Sequence, residues 1–268
     1  MLSSLVLVKV AVTLAVVVGL TLIAEHVSAR LAGLLAGFPH GIAIVLYFIG
    51  HEQGVGFATA AAMAAVGGLA ANMAHALGFA ALARGRGWAA AMRAGIGAIV
   101  AFLTVAALMR VMAPGPLAGA AITAVALLGA AAVMRGADDA GVAEKPRLTF
   151  GALLLRAGVA AALVTLITGI ASAVGPYWAG LLSGFPVVTF PLLLLIQARH
   201  GRAPVTTMVK AYPFGLTALI VYTLSVAWAF PRLGMGWGTL AGLTASLVWM
   251  ATATRLRAVV QNRLGMSL

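Results

Sequence analysis

The chain is a succession of long apolar runs interrupted by short polar turns. A helix that crosses a bilayer needs about 20 mostly apolar residues. Runs of that kind lie at 3–26, 30–51, 55–83, 88–112, 116–135, 149–174, 178–198, 204–230 and 237–257. The pattern predicts an all-α integral membrane protein with nine transmembrane helices. The longest polar stretch, Arg135 to Arg147, contains Asp138, Asp139, Glu144, Lys145 and Pro146 and reads as the connector between two halves.

The halves share a sequence. A shift of 147 lays Ala32-Gly33-Leu34-Leu35-Ala36-Gly37-Phe38-Pro39 on Ala179-Gly180-Leu181-Leu182-Ser183-Gly184-Phe185-Pro186, identical at seven of eight positions. The same ungapped offset pairs Lys9 with Arg156, Gly54 with Gly201, Thr59 with Thr206, Gly68 with Gly215, Gly95 with Gly242 and Arg110 with Arg257. The expected organisation is a four-helix repeat (1–115), a linker helix and loop (116–148), and a second four-helix repeat with a C-terminal tail (149–268). Five spans precede the second copy, so it enters the membrane from the opposite side. Many transporters use such inverted-topology repeats, and channels use them too.

Composition and charge agree with lipid as the solvent. The 268 residues are 63% hydrophobic and 8% charged, whereas soluble domains carry about 25% charged residues. Cysteine is absent, which excludes disulfides and thiolate metal sites. The net charge of +12 is scattered singly or in pairs between apolar runs, so it reads as a topology signal, and no nucleic-acid partner is expected. With nine spans, 14 of the 17 Lys and Arg residues fall on one side, leaving Lys9, Arg110 and Arg232 on the other. The N-terminus is therefore expected outside and the C-terminus in the cytoplasm. Met1-Leu2-Ser3-Ser4, with no basic n-region, reads as the start of the first span.

Candidate chemistry gathers at the second span of each repeat. Gly33/Gly37 and Gly180/Gly184 have the GxxxG spacing that lets another backbone approach closely. Pro39 and Pro186 lack an N–H and disfavour a helical residue before them. Each lies about nine residues into its span, roughly 13 Å of rise and near the midplane. Broken helices at that depth mark transport sites, so Gly37, Phe38, Pro39, His40, Gly184, Phe185, Pro186 and Thr189 are candidate ligand residues. Lys9 and Arg156, equivalent basic residues inside their first spans, either snorkel or attract an anion. Asn72, His75 and its repeat mate Tyr222 are further polar candidates within spans, each otherwise an interhelical hydrogen-bonding group. Glu25 is a candidate coupling group. His51-Glu52-Gln53-Gly54 begins like a zinc-protease motif, but Val55 stands where the second His belongs. Neither a metal nor a cofactor is expected, nor enzymatic activity.

One basic residue early in span one, A-G-L-x-x-x-F-P ending thirty residues later, and a polar turn ending in glycine together form a recognisable pattern. Here it runs from Lys9 to Pro39 and Gly54, and from Arg156 to Pro186, Arg199 and Gly201. It resembles the GlpM-like (YdgC-type) small inner-membrane proteins. Tyr222 and Ser225 also fit that family's third span, while His51, Glu52 and His75 depart from it. The resemblance implies a fused pair of four-span units, a bacterial inner-membrane location, and no settled substrate. The functional expectation is a transporter or channel for a small solute or ion, anionic by preference, with the lipid bilayer and a homo-oligomer as expected partners. A structural or accessory membrane subunit and a membrane-embedded enzyme or lipid-carrier flippase are the alternatives.

Overall fold

The computed structural model describes residues 2–26, 38–136 and 149–264, with side chains at 4–19, 38–136, 149–257 and 259. Among these residues the regular structure is helical and no strand occurs. The helices are α1 (Leu2–His26), α2 (His40–Gln53), α3 (Val55–Leu82), α4 (Trp88–Met112), α5 (Pro116–Met134), α6 (Phe150–Gly169), α7 (Ala171–Ser183), α8 (Thr189–His200) and α9 (Arg202–Leu264).

Five helical stretches are long and apolar enough to cross a membrane: α3, α4, α5, α6 and Arg202–Arg257 of α9. Of the expected span 30–51 only 38–51 lies within the described residues, and the expected span 178–198 takes a different form. At 1.5 Å per residue, the 12 residues of α8 rise only about 18 Å, short of a hydrocarbon core of about 30 Å, and α7 is interrupted at Gly175. The break at Pro186 divides the second of these spans into α7 and α8. The span expected at 149–174 ends its first helix at Gly169, and the chain kinks at Gly175, whose φ of 78° suits glycine.

The last two expected spans are continuous as α9, yet Gly234 folds it back on itself with φ 73° and ψ 178°. The Ser246 hydroxyl donates to the Ala218 carbonyl at 3.1 Å and the Trp249 indole to Thr217 Oγ1 at 2.9 Å, so the two arms are antiparallel. The bend recurs in the other half: Gly87, 147 positions earlier, has φ 91° and ψ 173°. Gly54 and Gly201 form a second such pair, with φ 88° and 79° and N–H groups donated to Gly50 and Gln197, also 147 apart.

Small residues place α3 at the centre, packed on α2, α4, α5, α7 and α9. A Cβ at Gly68 would lie 2.6 Å from the Leu181 carbonyl oxygen, and one at Gly184 2.8 Å from the Gly68 oxygen. A Cβ at Gly180 would overlap the Ala61 carbonyl. The second GxxxG is therefore a packing groove for α3, as its spacing allows. The first, Gly33/Gly37, lies outside the described residues. The linker helix α5 docks on α3 through Thr123, which donates to Val66 O at 2.8 Å. Outward positions such as Val111, Leu117 and Val133 remain apolar and exposed, as a lipid-facing surface requires.

The two ends of the bundle differ in charge. At one end Arg86 donates to the Arg199 carbonyl (2.9 Å), Gln197 to the Gly85 carbonyl (2.8 Å) and Arg199 to Thr149 (3.0 Å). Two basic loops and the start of α6 meet there. Lys9, near the start of α1, meets Thr168, near the end of α6.

Candidate functional site

Both Phe-Pro steps adopt one local structure. The His40 N–H donates to the Phe38 carbonyl (2.8 Å) and the Ala43 N–H to the Pro39 carbonyl (2.9 Å). In the other copy Val187 donates to Phe185 (2.8 Å) and Phe190 to Pro186 (2.7 Å). Donors and acceptors are each 147 apart. Proline cannot donate, so the chain closes a tight turn and a new helix starts after it.

The two turns line one cavity of about 40 Å³, together with Asn72 of α3, Ser183, Thr189 and Tyr212 of α9. That is room for one or two water molecules or a single small polar group. Gly41 admits the close approach, because a Cβ there would lie 3.0 Å from Val187. Asn72 Nδ2 donates to the Gly184 carbonyl at 2.7 Å, which ties α3 to the second break. That bond fixes the amide orientation and leaves Asn72 Oδ1, an acceptor, sealed from solvent with no hydrogen bond. His40 Nδ1 is likewise buried and unbonded. The Tyr212 hydroxyl lies beside Thr189 and the Asn72 side chain.

The lining is polar on one side of each repeat pair. His40 has Val187 as its mate, Asn72 has Leu219, and Thr189 has Ile42; all six line the cavity.

Of the residues expected at a site, Phe38, Pro39, His40, Asn72, Gly184, Phe185, Pro186 and Thr189 are brought together. Gly37 lies outside the described residues, as does the side chain of Glu25. Arg156 does not line the cavity but stands near enough to act electrostatically on His40. Lys9 is elsewhere and neither snorkels nor reaches the cavity. Its ammonium is 2.5 Å from Glu52 Oε1 and 2.6 Å from Thr168 Oγ1, and it is 2% exposed.

His75 sits behind the second break, packed edge-to-face on Phe185 and Phe190 (centroids 5.3 Å each) and beside Phe79. Phe102 adds a further ring against Phe185 at 5.1 Å. Neither imidazole nitrogen makes a hydrogen bond. Tyr222 is buried within α9 against Val226 and Gly242, where a Cβ at Gly242 would lie 2.9 Å from the Tyr222 ring.

Sequence reasoning missed Tyr212, Ser183 and the role of Glu52. Ser183 is the one mismatch in the eight-residue repeat match. Tyr212, an aromatic hydroxyl before Pro213 in an apolar run, has Ala65 as its mate. No group of three or more His, Cys, Asp and Glu suited to a metal occurs among the described residues. Comparison with family models, curated proteins and solved structures returned no match.

Proposed function

We propose that the protein is a membrane transporter or channel that passes a small solute where its two broken helices meet. One observation carries the reading: two Phe-Pro turns, 147 residues apart and alike in their hydrogen bonds, enclose a single cavity with polar side chains. Irregular backbone at membrane depth is tolerated where it is buried in protein or lines a wet cavity. A solute would pass as the copies rearrange around the cavity.

The reading includes nine crossings, with α7 and α8 as one interrupted span and α9 as two, and with the repeats inverted. Support comes from the contact between the start of α1 and the end of α6, the first helices of the copies, and from the basic loops gathered at one end. That end would be cytoplasmic, with the N-terminus outside and the C-terminus inside. An anionic solute has less support than the sequence suggested, because the Lys9 charge is matched by Glu52 and no Lys or Arg lines the cavity. The tight Gly180/Gly184 seat on α3 favours a second reading, an accessory subunit that needs helix packing and no solute.

Proteoliposomes challenged with glycerol, erythritol, urea and acetate in stopped-flow light scattering test the proposal. At least one probe should equilibrate faster than in empty vesicles, and Asn72→Leu should remove the difference. If every probe moves as in empty vesicles, the accessory reading stands instead. The chain has no cysteine, so single cysteines at Ser3 and Ser267 can be labelled from either side. Labelling of both from the same side would end the inverted arrangement.

A further inference from the structure

A second, larger cavity adjoins the first. It is a groove of about 610 Å³ between α1, α2 and the C-terminal arm of α9, and it meets the small polar cavity at Phe38 and His40, which line both. Its other walls are nearly all apolar, including Val12, Val16, Gly19, Ala43 and Leu243. A volume of this size lies within the roughly 300–1,000 Å³ of ligand pockets. An apolar groove in a bilayer is filled by hydrocarbon of some kind, and hydrocarbon alone gives no preference over bulk lipid. Selectivity has to come from the polar end.

That end leaves an acceptor unbonded. Asn72 is 2% exposed, its Nδ2 donates one hydrogen to Gly184, its side chain lies beside the Tyr212 hydroxyl, and its Oδ1 makes no hydrogen bond. A buried acceptor left unbonded is costly, and a donating ligand would recover that cost. An ionised carboxylate or phosphate brings only acceptors and would leave Oδ1 unsatisfied. An ammonium could donate, but among the described residues no carboxylate lines the cavity to match its charge. A hydroxyl both donates and accepts, so it suits Asn72 Oδ1 and His40 Nδ1 together. A head cavity of about 40 Å³ excludes sugar-phosphate and two-chain lipid heads.

We infer that the site takes a single-chain neutral amphiphile, its chain in the groove of α1, α2 and α9 and its hydroxyl head between Asn72 and His40. This names the solute class of the proposed transport site; passage of the molecule rests on that reading, its binding does not.

The test is binding to the full-length protein in lipid nanodiscs, followed by thermal unfolding midpoint. The probes are 1-dodecanol, dodecanoate, dodecylamine and dodecane. The alcohol should raise the midpoint saturably, with an apparent Kd at least tenfold below the other three. Gly19 has nothing within 4 Å of where a Cβ would stand, so Gly19→Leu should project into the groove and weaken alcohol binding at least tenfold without lowering the ligand-free midpoint. Asn72→Leu should erase the discrimination among heads. Equal shifts from dodecane and dodecanol, or wild-type affinity in Gly19→Leu, would overturn the inference. If the alcohol binds as expected while no small probe crosses proteoliposomes, binding stands and transport falls. If glycerol or urea crosses and dodecanol does not inhibit it, transport stands and the amphiphile falls.

Discussion

The Lys9–Glu52 pair offers a direct test of how the bundle is held together. It joins α1 to the end of α2, and Thr168 adds α6, so one ammonium links three helices. Removing one partner of a buried pair strands the other charge, at a cost of about 3–5 kcal/mol. The two halves of the pair are not equivalent. The Lys9 side chain is 3% exposed and the Glu52 side chain 17%. Glu52→Leu leaves an ammonium with Thr168 as its one remaining partner of this set, and its cost should lie near the top of that range. Lys9→Met leaves a carboxylate with some access to water, and its cost should lie near the bottom.

The double variant Lys9→Met/Glu52→Leu removes both charges and keeps apolar volume, so it should lie within about 1 kcal/mol of wild type or above it. The interaction energy from the cycle should then exceed about 3 kcal/mol. Equilibrium unfolding in mixed micelles, followed by the fluorescence of the five tryptophans, measures all four proteins. Additive single effects, or two singles within about 0.5 kcal/mol of wild type, would refute the pairing. The same double variant also separates structure from solute capture. If Lys9 served an anion, the double variant would be stable and unable to bind; as a structural tie, it should bind as wild type does.

Gly68→Ala should destabilise by about 1–3 kcal/mol, because a Cβ there meets the Leu181 carbonyl at 2.6 Å; Gly158→Ala, with nothing within 4 Å, should be neutral or stabilising by about 0.5–1 kcal/mol in the same unfolding assay. His75→Leu should raise stability by about 1–3 kcal/mol, since both ring nitrogens are buried without partners; a loss of stability would point to a hydrogen bond that the packing does not contain. The exchange Asn72→Leu/Leu219→Asn moves the amide to the equivalent position of the other copy, and dodecanol binding lost in Asn72→Leu should return in part, as read by the nanodisc midpoint.

The sequence announced the breaks and the register because each has a local cause. Proline at 39 and 186 cannot donate, and glycine at 54 and 201 tolerates positive φ, so the same turns form wherever those residues recur. Hydropathy could not divide 178–198, because Leu181 and Leu192 are equally apolar on either side of a broken backbone. Nor could it join Lys9 to Glu52. A carboxylate in a His-Glu-Gln-Gly turn reads as a helix end, and its partner is 43 positions away on another helix. His75 was legible as a polar group in an apolar span. Its enclosure was not, because Phe185 and Phe190 come from the second break and the helix that follows it.

Duplication alone would give a cavity with matching walls; here Phe38 and Phe185 match, as do Pro39 and Pro186, and three other pairs of mates differ in polarity. His40 has Val187 as its mate, Asn72 has Leu219 and Thr189 has Ile42, so each of these three pairs contributes one polar and one apolar side chain. The backbone hydrogen bonds at the two turns remain the same within 0.2 Å. The opening therefore follows from what the copies share, and the chemistry from where they differ. A symmetric lining would meet a solute alike from both faces, whereas this one combines an unbonded amide oxygen with apolar side chains. A molecule with one donor and an apolar body suits both, which a small ion cannot do.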